Sequence, residues 1–525
     1  MKILPVKDVS TAELVDELSR AEAYPHAVDG EIQTHETHIS VVFLAGDFVY
    51  KVKKPLTTDF LDYSSIQLRQ YYCHEEIRLG RRYDKDLYVG VVPILLEDDR
   101  LRIGDEETDA AANVVDYAVK MRRFPDEALL SRRIKRGVLT SQEVHDLAEW
   151  IATFHQSAAI CDPEFADGWP NFLGTNSRQL FDQLDDLLID DESRATLAVL
   201  RSWSAEFLSD HRNEIADRIP NGFIRECHGD LHLQNVVHWG DRLIPFDGIE
   251  FNERLRWIDV LSDAAFLSMD LAAKGHLDLS RSFINAYVER TGDYDSLCLL
   301  RWFHFYRALI RAMVPAMRAS QFDMSDEESR EAHEMTRTQL DLAYRFTLRE
   351  TPSLWITYGV SGSGKTTLSE TVVQRHDCFR VVSDVERKRL KGLASTDRVH
   401  GDEIGRLYSA SHTDATYRRI GVLAARVLRA GYSVIVDATF LRRRHRERFE
   451  TIAKTEGVAY RILECECDPQ TLHQRIANRI ARDDDASDAD LNVLDRQIAH
   501  RDPLSKAERS HVIHIPNLVD TVEQI

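Results

Sequence analysis

The sequence predicts two domains, one of α+β and one of α/β class. Three observations carry this. After Pro352, short apolar runs at 354–358, 379–383, 433–437, 460–465 and 511–515 alternate with helical patterns, as in a parallel sheet sandwiched by helices. Residues 37–52 alternate like two paired strands about an Ala45-Gly46-Asp47 turn. Between these regions, about 140–215, 301–318 and 325–349 are of helical period. The expected division is a helical extension over 1–24, a first domain over 25–348 (a small lobe to about 122, then a large helical lobe over 123–348), and a second domain over 352–525.

A chain of 525 residues exceeds one ordinary core. With 43% hydrophobic and 29% charged residues it has globular composition, and no apolar run reaches 18 residues, so no membrane span is expected. Seven scattered cysteines, with no CxxC, fit a reducing cytoplasm. The charge of −20 is uneven. From Thr351 onward there are 27 Lys+Arg against 25 Asp+Glu, leaving 40 against 62 in the first 350 residues. That acidic first part disfavours nucleic acid as a partner.

In chain order, residues 11–23 read as a short amphipathic helix. Lys51 and Lys53 share one face at the end of the second strand. A helix over about 64–82 carries Glu75 and Glu76, and strands follow at 87–95 and 115–122 around an acidic loop, 97–110. Val144, Leu147, Ala148, Ile151, Phe154 and His155 form a buried helical stripe, with His155 a core residue.

Then His228-Gly229-Asp230, four residues, Asn235, eleven residues, and Asp247-Gly248 follow. This spacing parallels the H-R-D-x-x-x-x-N and D-F-G motifs of kinases. Phosphoryl transfer to a hydroxyl needs one carboxylate to accept the proton, here Asp230. It needs an amide and a second carboxylate to hold Mg²⁺, here Asn235 and Asp247. Glu250 is a candidate second metal contact. Asp259 and Asp263 lie four apart; one would bond the catalytic loop, and either could face substrate, Asp263 being the candidate carried forward. Arg307 and Arg311 would grip an anionic acceptor group or merely charge a helix face.

On these motifs, residues ~25–345 resemble the aminoglycoside phosphotransferase/choline kinase-like branch of the bilobal protein-kinase-like fold. The resemblance implies that Lys51 holds the α/β-phosphates of ATP and pairs with Glu76, with Lys53 and Glu75 as competitors by register. It makes Ala118–Met121 the adenine hinge, so Met121 would line the nucleotide site. One departure is plain: Glu36–Ser40 stands where that fold has a glycine-rich loop.

The second domain opens on a phosphate-binding loop within Thr357–Thr367, between a strand and a helix. Gly359, Ser361, Gly362, Ser363, Gly364 and Thr367 shape a cradle of backbone N–H groups at a helix N-terminus. Lys365 would reach the β/γ-phosphates and Thr366 would bind Mg²⁺. Asp384 ends the second strand as candidate base, with Arg387 three residues on to orient the acceptor. Asp437 ends the third strand as a Walker-B-like metal candidate. Arg475, Arg479 and Arg482 recur on a helix closing at Asp483-Asp484-Asp485, as in a lid. The run 442–446 reads as a solvated basic face.

This half resembles P-loop NTPases of the small-kinase type (polynucleotide kinase-like, gluconate/shikimate kinase-like, zeta-toxin-like). The whole chain looks like a bacterial fusion of an aminoglycoside phosphotransferase-like domain with a P-loop predicted kinase. That implies a bifunctional ATP·Mg²⁺-dependent enzyme acting on sugars, amino alcohols or aminoglycoside-like molecules. Two alternatives stay open. One domain would bind ATP only to regulate the other, or the second would phosphorylate a nucleic-acid 5′-hydroxyl or a nucleotide sugar.

Overall fold

The computed structural model describes residues 9–58, 61–105, 113–166, 168–320, 325–395, 397, 399, 402–482 and 491–514. They fall into two compact units, residues 1–143, 158–161 and 223–263 in the first and 144–157, 162–222 and 264–525 in the second. Among the described residues no helix is long and apolar enough to cross a membrane.

The first unit is organised on a six-stranded antiparallel sheet of β1 (Gln33–Glu36), β2 (Ser40–Ala45), β3 (Phe48–Lys53), β4 (Tyr88–Glu97), β5 (Arg100–Ile103) and β6 (Val114–Arg122), in the order β1-β2-β3-β6-β4-β5. Strand alternation divides its side chains between two cores. Val41, Phe43, Tyr50 and Val52 cluster with Leu14 and Leu18 of α1 (Thr11–Leu18). On the other face Tyr88, Val119 and Met121 pack on Cys73 and Ile77 of α2 (Ile66–Gly80). Lys51 and Lys53 point to the α2 side, because they alternate with the α1-facing Tyr50 and Val52. The helix expected over 11–23 stops at Leu18 and gives way to a 3₁₀ turn at Ala21–Ala23. The segment expected as an acidic loop, 97–110, contains β5; its residues 106–110 lie outside the described ones.

Two short ladders complete this unit. β7 (Ile224–Glu226) pairs with β10 (Trp257–Asp259), and β8 (Val236–Trp239) with β9 (Arg242–Pro245). The loop between β7 and β8 holds Asp230 and Asn235, and the chain leaving β9 holds Asp247.

The second unit contains most of α3 (Ser141–Ser157) and α6 (Val260–Ala273). It also holds α4 (Trp169–Leu187), α5 (Asp191–Asp210), α7 (Leu277–Thr291), α8 (Leu297–Ala319) and α9 (Asp326–Thr347). His155 is a core residue, buried 2.9 Å from the Tyr287 hydroxyl. The same unit holds a five-stranded parallel sheet, β11 (Ser353–Tyr358), β12 (Cys378–Val382), β13 (Ser433–Asp437), β14 (Ala459–Glu464) and β15 (Val512–His514), ordered β12-β13-β11-β14-β15. The centres of its strands are apolar, with Ile356, Val434, Ile435, Val436 and Ile462 fully buried, as a sheet covered on both faces requires. The accompanying helices are α10 (Lys365–Arg375), α11 (Ser383–Arg389), α12 (Ala410–Arg429), α13 (Arg443–Glu456), α14 (Pro469–Arg482) and α15 (Leu491–Ala499).

Candidate active sites

In the first unit the register question has a clear answer. Lys51 Nζ lies 3.0 Å from Glu76 Oε1 and also contacts the Asp247 carboxylate. Lys53 takes the other Glu76 oxygen at 2.7 Å and is fully buried with Glu250 and Tyr63. Glu75 faces away, to Arg78 and Arg256. Burial pushes the Glu76 carboxyl up, but Lys51 and Lys53 together overrule it and hold the group at about 2. Glu250 is therefore not an open metal contact; Lys53 and Tyr63 occupy it.

Asp247 is placed by its backbone. Its φ is +60°, a left-handed conformation that Asp tolerates better than most residues, and its N–H donates to the Tyr88 hydroxyl at 2.8 Å. Tyr88 in turn needs Gly80, since a Cβ there would stand 2.3 Å from its ring.

The candidate catalytic loop is fixed by two buried groups. Asp263 accepts the N–H of His228 at 3.0 Å and of Gly229 at 2.9 Å, one per carboxylate oxygen. The candidate substrate contact at Asp263 is thus corrected. It is fully buried and braces the loop backbone. His228 Nε2 donates to Phe246 O at 2.8 Å while its Nδ1 accepts from Asp230 N–H at 3.2 Å, and burial lowers its pKa, keeping the ring neutral. Asn235 Nδ2 donates to the Asp230 backbone and side-chain oxygens, both at 3.0 Å. That fixes the amide so that Oδ1 is directed elsewhere. Asn235 Oδ1 and the half-exposed Asp247 carboxylate form an all-oxygen donor set of the kind Mg²⁺ takes. Met121 is buried near the end of β6, packed with Tyr88 and Val237.

Sequence reasoning passed over the carboxylate just ahead of this loop. Glu226 receives Arg78 at 2.7 Å, Arg82 at 3.1 Å and Arg256 at 3.1 Å. Burial alone would raise its pKa, but the arginines bring it down to about 2. These bonds tie α2, which carries Glu76, to the strand that enters the loop of Asp230 and Asn235. The signal available was its adjacency to the motif.

In the second unit the phosphate loop joins β11 to α10. Gly362 (φ +82°) and Gly364 (φ +92°) take the left-handed conformations, and Gly359 has no room for a side chain, its Cβ site being 2.5 Å from Ser363 Oγ and 2.7 Å from Cys465 O. Lys365 Nζ folds back to Val360 O at 2.7 Å, and Ser361 N–H donates to Gln497 of α15 at 2.8 Å. Ser363 Oγ is buried without a hydrogen-bond partner among the described residues. An orphaned hydroxyl inside a glycine loop fits a phosphate oxygen.

Asp437 ends β13 beneath that loop, 3.0 Å from Ser369 Oγ. Burial raises its pKa, against Arg380, Lys365, Ser369 and Thr366. The Thr366 hydroxyl and this carboxylate again offer oxygen ligands only. Thr367 follows on the first turn of α10. Arg475 on α14 donates to Gly362 O at 3.2 Å, which brings that helix over the loop. The side chains of Arg479 and Arg482, and all of 483–485, lie outside the described residues.

Asp384 and Arg387 do meet, at 3.4 Å on α11. Arg387, however, is only 5% exposed. It donates to Leu407 O and Thr413 Oγ1 and covers the Tyr408 ring at 4.7 Å, so it holds α11 against its neighbours rather than standing free for an acceptor. Arg307 is corrected likewise: it is buried over the Phe266 ring at 4.8 Å, while Arg311 keeps partial exposure, so the two do not form a paired grip. The 442–446 run is a solvated basic face only in part, over the exposed Arg442, Arg443 and Arg444. Arg446 is fully buried on Glu508, and Arg442, Arg443 and Arg444 pair with Asp502, Glu447 and Asp414.

Residues 354–504 match the AAA_33 family model, described as an AAA domain. This region is a nucleotide-binding P-loop domain. An uncharacterized protein of Mycobacterium tuberculosis is 28% identical over 469 residues, covering 89% of this chain and 90% of its own, and one of Mycobacterium bovis matches to the same extent. Among solved structures, a gluconokinase from Sinorhizobium meliloti is 16% identical (TM-score 0.25), covering 34% of this chain and 90% of its own. A choline/ethanolamine kinase family protein from Mesorhizobium loti is 12% identical (TM-score 0.37), covering 64% of this chain and 99% of its own.

Proposed function

We propose that the chain carries two ATP- and Mg²⁺-dependent phosphotransferase sites, each moving the γ-phosphate to a hydroxyl of a small molecule of the sugar, amino alcohol or aminoglycoside-like class. The observation that carries the first site is the meeting of Lys51 with both Glu76 and Asp247, beside an Asp230 held by Asn235. Lys51, kept charged by its two carboxylates, would orient the α/β-phosphates. Asp230 would take the proton of the acceptor hydroxyl as its oxygen bonds to the γ-phosphorus; the bond to the bridging oxygen breaks and ADP leaves. Mg²⁺, held by Asn235 and Asp247, would neutralise charge across the phosphates.

In the second site the loop amides and Lys365 would hold the β/γ-phosphates, with Thr366 and Asp437 as metal ligands. Asp384 would be the base, and Arg475, with Arg479, the cation closing over the transferred group. Turnover of ATP by the full chain, screened over sugars, amino alcohols, aminoglycosides and nucleosides, tests this. Asp230→Ala should abolish one acceptor-dependent activity and Lys365→Ala the other. The reading is wrong if neither substitution changes turnover of any acceptor.

A second reading, in which the first site binds ATP without transfer, has one observation in its favour. Where a glycine-rich loop would cover the phosphates, Thr37 N–H donates to Ser40 O and Ser40 N–H to Thr37 Oγ1, so two amides are used within the turn. Loss of all transfer in Lys365→Ala, with ATP binding kept in the first unit, would favour it. Phosphorylation of a nucleic-acid 5′-hydroxyl draws no support from the 442–446 arginines, which are paired within the unit.

A further inference from the structure

The parallel sheet of the second unit ends on one side at β12, whose outer edge pairs with no strand among the described residues. Asn285 of α7 meets that edge. Its Oδ1 accepts from Arg380 N–H at 2.8 Å and its Nδ2 donates to Cys378 O at 3.0 Å. One side-chain amide thereby supplies the acceptor and donor that a neighbouring strand would have offered. The Tyr294 hydroxyl donates to Arg380 O at 3.0 Å.

Asn285 is one of three residues four apart on one face of α7. Arg281 donates to Gln374 O at 3.1 Å, in the last turn of α10. Glu289 binds the Arg380 guanidinium at 3.0 Å, and the other end of that guanidinium reaches Glu370 of α10 at 3.1 Å. In return, Arg389 of α11 donates to Glu289 O at 2.6 Å, closing the last turn of α7. A single helix thus touches α10, which starts with Lys365 and Thr366, the strand β12, and α11, which carries Asp384.

We propose that α7 is a clamp that sets the geometry of the phosphate-loop site, with Asn285 and Glu289 as its positioning residues. Neither touches a reacting group; both act through β12 and α10. The inference rests on the reading of Lys365 and Thr366 as an ATP site. It makes this P-loop domain an integral part of a larger unit, since the helix that completes its sheet edge lies about 90 residues upstream of the strand it completes.

Hydrogen–deuterium exchange on the full chain, with and without ATP and Mg²⁺, tests it at peptide level. Asn285→Ala and Glu289→Ala should speed exchange in 378–382 about five- to ten-fold, the loss of one net hydrogen bond or charged pair. They should also raise the ATP concentration needed to protect 358–369 at least five-fold, a threshold set by the same energy. Peptides over 40–53 should exchange as in the unsubstituted chain. Glu289→Gln, which keeps an oxygen for Arg380, should recover part of the loss. The clamp is overturned if loop protection in both alanine variants matches the unsubstituted chain. It is equally overturned if 40–53 loosens to the same degree, since that is general destabilisation. The unsubstituted chain separates the two ideas. Absence of any ATP protection of 358–369 there sinks the nucleotide reading, and acceleration in 378–382 by Asn285→Ala still judges the clamp.

Discussion

In the first unit the charged groups of the candidate site come from far apart in the chain. Lys51 meets Glu76 across 25 residues and Asp247 across 196. In the second unit, nine consecutive residues, 359–367, form the cradle, and Asp437 is the principal distant addition. The first site is a set of side chains neutralising one another in a buried cluster. The second is backbone, shaped by glycines that exclude side chains. The two should fail differently: the first when a charge is removed, the second when an atom is added.

The largest effect expected is chemical. Asp230→Asn keeps the size of the side chain and removes its basicity. First-site turnover should fall about 10²- to 10⁴-fold, read from ATP consumption with the acceptor that the screen identifies. Next comes Glu76→Ala, which leaves Lys51 and Lys53 buried without their shared partner. A destabilisation of about 3–5 kcal/mol is expected from chemical denaturation. A loss no larger than that of a surface substitution would mean the cluster is not the first unit's keystone. The steric counterpart is Gly359→Ala, whose methyl group would collide with Ser363 Oγ and Cys465 O. A cost of about 1–3 kcal/mol is expected, seen as weaker ATP binding at the loop with 40–53 unaffected.

Acid should act more gently. Burial, with help from Arg301, depresses His304 in the second unit to about 3 from an ordinary 6.5. The unfolded chain then binds a proton that the folded one refuses, so this contribution to stability is lost as pH falls from 6.5 toward 3. Glu226 and Glu76 sit at about 2 against an ordinary 4.5, so the first unit loses their contribution only below 4.5. His228 in the first unit, also lowered by burial, contributes with the same sign, so exchange measured down a pH series should show loosening around both histidines before the Glu226 and Glu76 contributions are lost. His304→Gln should remove its share of that loosening between pH 6.5 and 4.5.

Legibility in the sequence followed the same divide. The phosphate loop and the His228–Asp247 spacing are local patterns, and the strands after Pro352 were readable from apolar runs bounded by helical ones. The pairing of Lys51 with Glu76 came from a resemblance, and spacing alone left Lys53 and Glu75 equally eligible. Asp263, Arg307 and Arg387 were misjudged for one reason. Their charge and helical position are visible in the sequence, but whether a carboxylate or guanidinium turns inward depends on partners such as the His228 amide, the Phe266 ring or the Leu407 carbonyl. Those partners are supplied by chain folding from elsewhere. The strand β5 was hidden in an acidic stretch, since an edge strand needs few apolar residues.

The amide of Asn285 has a consequence for anyone dividing the chain. A fragment starting near Thr351 would present the β12 edge with Arg380 N–H and Cys378 O bare, on a strand of mostly apolar residues. Such an edge is a template for another copy of itself. The fragment should therefore self-associate, as light scattering would register, while one starting upstream of Leu277 should remain dispersed.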